Sequence, residues 1–212
     1  ILTQLLSSGA SIAEIKEEVN SDIKRFSEGF DYYTEKLEYN LNIDFDGRTV
    51  VGDNPYDINE IPYGNGNPHN RVEDEAHATH VAGIIGAVRN NGIGMDGVAN
   101  NVAIMSIRAV PNGDEYDKDI ALGIRYAVDN GAKVINGSFG KSFSPNAEWV
   151  YDAIKYAASK DVLFVHAAGN DGLNLDDLKN SNFPNDQVKN GPEIADNVIT
   201  VGAIGEDYGA EM

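Results

Sequence analysis

Val134-Ile135-Asn136-Gly137-Ser138-Phe139-Gly140 is a short apolar run that breaks into glycines and a serine. Val162 to Val165, leading into Ala167-Ala168-Gly169-Asn170, has the same form. Between the two, Ser144-Pro145 opens a helical stretch with Val150, Ile154 and Ala157 inward and proline at its favoured first position. Upstream, Asp117 to Asp129 reads as a helix facing inward through Ile120, Ile124 and Val128, and Val102 to Val110 reads as a strand. Val198 to Val201 is a last strand. Apolar strands separated by single helices predict an α/β fold with a mostly parallel sheet covered on both faces. In such sheets ligands gather beyond the carboxyl ends of the strands, which here are Ser138-Phe139-Gly140 and Ala168-Gly169-Asn170.

Further upstream, His77 to Arg89 carries Val81, Ile84, Ile85 and Val88 on one helical face and runs into the loop Asn90-Asn91-Gly92-Ile93-Gly94. Before it, from Asn42 to Glu75, periodicity vanishes and turn formers dominate, which predicts a long surface loop. At the start of the chain Ile12, Ile15, Val19, Ile23, Phe26, Phe30, Tyr33 and Leu37 recur at steps of three and four. This predicts one long amphipathic helix from Ser11 to Leu41, opened by a capping box of Ser11 and Glu14 and weakened in its middle by Gly29. The expected organisation is a helical segment at 1–41, a loop at 42–75 and an α/β domain at 76–212.

A chain of 212 residues with 42% hydrophobic residues can bury one substantial core. It has no cysteine, which excludes disulfides, thiolate metal sites and cysteine nucleophiles. Sixteen Lys and Arg against 34 Asp and Glu give a formal charge of −18, which repels nucleic-acid phosphates and favours neutral or cationic partners, Ca²⁺ included. No apolar run reaches the ~18 residues of a membrane span, and Ile1 to Ser8 lacks the basic start and cleavage site of a signal peptide.

His77 stands at the N-terminal turn of its helix, where a side chain can point into a cleft, whereas His80 lies nearer the packed face. Two histidines three apart could also hold zinc, but no H-E-x-x-H pattern and no clear third ligand accompany them. Asn170 ends a strand with Gly169 beside it, so its amide can donate into a cleft, although such a pair is also an ordinary turn. Ser138 is not a nucleophile elbow, because its glycines have the wrong spacing. Gly92 to Gly94 matches no phosphate loop.

The order of the pieces is more specific than any one of them. His77-Ala78-Thr79-His80-Val81-Ala82-Gly83, Gly97-Val98-Ala99, Val134 to Gly140 and Ala167-Ala168-Gly169-Asn170 together resemble the subtilisin-like serine peptidases, from about His77 to Gly202. The resemblance implies a partial three-layer α/β/α fold and hydrolysis of peptide bonds by a Ser-His-Asp mechanism. His77 would be the general base and Asn170 the side-chain donor to the tetrahedral oxyanion. Ser138, Phe139 and Gly140 would pair with an extended peptide or protein substrate, the segment from Gly113 to Tyr116 would form the opposite wall, and Ala168 and Gly169 would line the first specificity pocket. No cofactor is needed for that chemistry. A structural calcium is implied in the loop Asn90 to Met95, with Asn91 as its side-chain ligand, beside the plainer reading of an Asn-Gly turn.

Four departures qualify the likeness. The family usually has glycine where Ala78 stands and methionine where Gly137 stands, and neither its aspartate strand nor its G-T-S-M-A serine motif occurs in these 212 residues. The expectation is therefore a central portion of a secreted or surface bacterial endopeptidase, inactive alone, with exposed core surface through which it could dimerise. The competing expectation is a degenerate domain that binds extended peptides or a protein partner without cleaving them.

Overall fold

The computed structural model describes residues 11–70, 75–110, 113, 115–177, 179–188 and 191–204. Ile1 to Ser8 and Asp114 lie outside them. The chain divides into two compact units, Ile1–Val51 and Gly52–Met212.

In the first unit, helix α1 spans Ile12–Glu35 and opens with the expected capping box: Ser11 Oγ accepts from the Glu14 amide while the Glu14 carboxylate accepts from the Ser11 amide. Instead of running on to Leu41 as a regular helix, the chain widens into a π-helical turn at Lys36–Asn40. A short helix α2 follows at Arg48–Val51. Nothing on α1 is buried, and the apolar stripe through Phe26, Phe30, Tyr33 and Leu37 is exposed.

In the second unit the order is α3 at His77–Gly86, α4 at Asp117–Asp129, β1 at Val134–Gly137, α5 at Ala147–Ser159, β2 at Leu163–Ala167 and β3 at Val198–Val201. The strands form one three-stranded sheet in the order β1-β2-β3, with both pairings parallel. Register places Ile135 beside Phe164 and Phe164 beside Val198, so these three side chains share one row on one face. Against that row pack Ile120, Ile124 and Val128 of α4 and Val150, Ala153, Ile154 and Ala157 of α5. Phe164 and Ile154 are fully buried at the centre. Asn197 fastens β3 to this core, its amide donating to the Val162 carbonyl at 2.8 Å.

Several boundaries differ from the sequence reading. Helix α3 stops at Gly86 rather than Arg89, because the amides of Val98 and Ala99 take up the carbonyls of Ile84 and Ile85. His80 is exposed rather than packed, as are Ile84 and Val88. Helix α5 begins at Ala147 with Asn146 as its cap, leaving Pro145 outside, because the Asn146 amide is drawn to the Asp117 carboxylate. Val102 to Val110 is not a strand: among the described residues it makes no ladder bonds. Its side chains instead bridge two helices, with Val102 and Ile104 lying against Gly86 of α3 and Ile107 and Ala109 against Gly123 of α4.

Within the stretch expected as a loop at 42–75, Gly52 to Tyr63 is more tightly tied than its composition implied. Lys118 of α4 is fully buried and lies 2.7 Å from Asp53, donates to the Asn54 carbonyl at 2.8 Å, and faces the Tyr63 ring. Tyr63 in turn donates to Asp119. A buried ammonium is tolerated only with such partners, so Gly52 to Tyr63 is held where Lys118 needs it.

Candidate active site

Parallel pairing of β1 and β2 sets Gly137 beside His166, so the chain leaves both strands at one level. Ser138, Phe139 and Gly140 thereby run next to Ala167, Ala168 and Gly169 at the carboxyl edge of the sheet. Asn182, half-buried, spans the two segments. Its Nδ2 donates to the Ala167 carbonyl at 2.7 Å, and its side chain sits against both Gly140 and Gly169. A β-carbon at Gly140 would lie 2.5 Å from Asn182 Oδ1, so any larger residue there would displace the Asn182 amide. Gly169 has φ +92°, a conformation that side-chain-bearing residues rarely adopt, and it delivers Asn170 to the surface.

The segment after β1 is also fixed from below. His166 is 2% exposed and stacks on Phe164, with ring centroids 6.1 Å apart and planes 11° from parallel. Its Nε2 lies 2.7 Å from the Phe139 carbonyl oxygen. A carbonyl only accepts, so Nε2 carries the proton in this bond. Burial holds the imidazole below its ordinary pKa of 6.5, opposed by the smaller upward pull of the bond to Phe139. On the outer side, Asn136 Nδ2 donates to Ser138 Oγ at 2.9 Å, so the Ser138 hydroxyl helps to shape its own turn.

Gly137 has a concrete explanation. A β-carbon there would stand 2.9 Å from Phe164 Cζ and 3.4 Å from Phe139 Cε1. The aromatic rings occupy the space that a larger residue at 137 would need, and Gly137 is a consequence of Phe164 rather than a gap beneath the site.

Gly97 is constrained in the same manner. Its β-carbon would fall 2.3 Å from the Ala87 nitrogen, so Gly97-Val98-Ala99 folds directly against the end of α3 and caps it. This steadies the helix whose first residue is His77, an exposed side chain. No hydrogen bond, ion pair or ring contact among the described residues joins His77 to Asn170 or to Ser138, Phe139 and Gly140. What the fold brings together is Ser138, Phe139, Gly140, Ala168 and Gly169. Gly113 is exposed, and Glu115 just beyond it is buried, its carbonyl accepting from Lys141 Nζ at 2.6 Å.

In the loop at 90–96, Asn91 Oδ1 accepts from the Ile93 amide at 2.9 Å and Asp96 Oδ1 from the Asn90 amide at 2.9 Å. Asn90, Gly92 and Gly94 all have positive φ, so the loop coils on itself. Among the described residues no group of three or more His, Asp or Glu side chains could hold a metal ion, zinc at His77 and His80 included. The loop's oxygens are those of amide, carboxylate and main-chain groups, which are hard donors.

Sequence reasoning missed four residues that build the site: Lys141, His166, Asn182 and Asp117. Each is a polar group whose partner lies far away in sequence: Asp117 opens α4, His166 lies within β2, and Lys141 and Asn182 stand in loops. The one signal was composition, a lysine following Gly140 and a histidine inside an otherwise apolar strand.

With this geometry the class is defined: the chain belongs to the subtilase family, whose sequence model matches residues 20–210. Among curated proteins it is 36% identical over 162 residues to the thermophilic serine proteinase of Bacillus sp. (strain AK1), covering 76% of this chain and 34% of that protein. It is 46% identical over 110 residues to the cell wall-associated protease of Bacillus subtilis (strain 168), covering 51% of this chain and 12% of that protein. The solved structure of sphericase superimposes with a TM-score of 0.54 at 29% identity, covering 68% of this chain and 44% of that one. The chain thus spans less than half the length of each relative. The likeness bears out the partial subtilisin-like α/β fold expected from the motifs.

The buried imidazole gives a pH test. Below about pH 6.5 the unfolded chain takes up a proton on His166 that the folded chain refuses, so the unfolded state binds more protons and stability falls as pH drops, levelling off below the folded pKa. His166→Gln keeps a donor but does not titrate. Denaturant midpoints measured between about pH 7 and pH 5 should fall more steeply for the wild type than for His166→Gln; equal slopes would contradict the buried neutral imidazole.

Proposed function

We propose that this chain is the central part of a secreted or surface bacterial serine endopeptidase, supplying its general base, oxyanion donor and peptide-binding strand. The observation that carries the reading is the side-by-side exit of Ser138-Phe139-Gly140 and Ala167-Ala168-Gly169 from neighbouring parallel strands, in a chain of the subtilase family. An extended substrate adds as a strand beside Ser138 to Gly140, and its scissile carbonyl comes to lie over Gly169 and Asn170. His77 takes the proton of a serine hydroxyl supplied by sequence beyond these 212 residues and later returns it to the leaving amine, while Asn170 donates to the oxyanion. Ala168, Gly169 and Gly140 line the first side-chain pocket, and the polar amide of Asn182 closes it. The surface location follows the cell wall-associated relative.

A degenerate domain that binds peptides without cleaving them is the second reading. It draws on Ala78 and Gly137, although the Phe164 ring gives Gly137 a packing reason of its own. A peptide panel assayed on the intact gene product separates the two. The proposal expects cleavage that disappears in His77→Ala and falls about 10²–10³-fold in kcat for Asn170→Ala, a loss established for the oxyanion donor of this family. Tight binding of the panel without turnover selects the second reading, and the 212-residue chain alone should hydrolyse nothing.

We further propose that the loop at 90–96 holds a structural Ca²⁺ through Asn91 Oδ1 and main-chain carbonyls. Millimolar Ca²⁺ should then raise the melting temperature relative to chelator, and Asn91→Ala should remove most of that difference. An identical rise in Asn91→Ala would place the ion elsewhere.

A further inference from the structure

We propose that Lys141 is a positioning residue that fixes the distance between the two walls of the peptide groove. The inference rests on the groove assignment made above. Lys141 follows Gly140 and so ends one wall, where its amide and carbonyl exchange hydrogen bonds with Phe183 at 3.1 and 2.8 Å. Its side chain crosses to the chain that carries the other wall. There Nζ donates to the Glu115 carbonyl at 2.6 Å and lies 2.8 Å from Asp117 Oδ1. Glu115 and Asp117 flank Tyr116, at the end of the wall that begins with Gly113.

Asp117 is itself held on its far side. It accepts from Ser144 Oγ at 2.6 Å and from the Asn146 amide at 2.8 Å, and it occupies the first turn of α4, where the helix end favours negative charge. The Lys141 and Asp117 side chains are only 6% and 3% exposed. A buried ion pair of this kind gains little stability over an apolar pair of equal volume. Its distinguishing property is direction. A carbonyl and a carboxylate fix the ammonium at one point, whereas apolar contacts permit sliding.

Position matters here because of the geometry of strand addition. A peptide that bonds to both walls needs them about 9–10 Å apart, twice the spacing of neighbouring strands. A displacement of about 1 Å loses one set of bonds, which is enough to cost up to ~10²-fold in turnover when the substrate is misplaced. Through Lys141, a shift of one wall becomes a shift of the other.

The test uses the intact gene product with Lys141→Met, and with Lys141→Met combined with Asp117→Leu, which leaves no lone charge buried. Backbone hydrogen exchange at 115–116 and 138–141 should quicken at least about tenfold in both variants, with the amides of the C-terminal half of α5, away from the Asn146 cap that Asp117 holds, unchanged. For peptides long enough to touch both walls, KM should rise about tenfold or more, while kcat on a single-residue ester that fills only the first pocket stays within about twofold. Unaltered exchange at the walls, or an equal increase through α5, overturns the proposal, as does an unchanged KM. If the wild-type product cleaves no peptide, the endopeptidase reading fails, and the exchange measurement still decides whether Lys141 locks the walls.

Discussion

The ring of Phe164 is the contact on which the site depends. It is fully buried on the middle strand, in one row with Ile135 and Val198 and against the helices α4 and α5. The same ring fills the space above Gly137 and stacks on His166. One side chain therefore joins the hydrophobic core to the strand end where chemistry is proposed. Because interiors are close-packed, a change in its volume would be felt both in the core and at Phe139, through the imidazole that bonds its carbonyl.

Around that apolar centre stand two buried lysines with unlike tasks. Lys118 is sealed between Asp53, Asn54 and Tyr63 and holds the segment from Gly52 to Tyr63 against α4. Lys141 lies at the carboxyl edge of the sheet and links the two segments proposed to flank a substrate. Neighbouring acidic residues of α4, Asp117 and Asp119, receive the charge or the hydroxyl that each arrangement offers. A chain with a formal charge of −18 has acid to spare on its surface; what its fold depends on is where these few buried cations sit.

Much of this was legible in the sequence, for reasons that differ by element. The helices Asp117–Asp129 and Ala147–Ser159 were readable because one face of each meets a single core, which writes the 3.6-residue period directly. The glycines at 97 and at the two strand ends were readable as motifs, and the close approach of backbone at Gly97 and of the Asn182 side chain at Gly140 is the physical content of two of them. Val102 to Val110 was misread because its apolar residues satisfy two helices through Gly86 and Gly123 and not a neighbouring strand, and composition cannot tell these apart. Asn182 and Lys141 were invisible because their significance lies in partners 15 and 24 to 26 positions away, at Ala167, Asp117 and Glu115.

The proposed function makes His77, at the start of a helix capped by Gly97-Val98-Ala99, the general base of a peptidase whose strand ends hold the substrate. A peptidyl chloromethyl ketone tests it most directly, because such a reagent occupies the groove as an extended strand and alkylates the histidine that faces the scissile carbonyl. Treated with it, the intact gene product should carry one adduct, on His77, with His69, His80 and His166 unmodified by peptide mass spectrometry. An adduct on His80, or none on His77 under conditions where the peptide binds, would contradict the account.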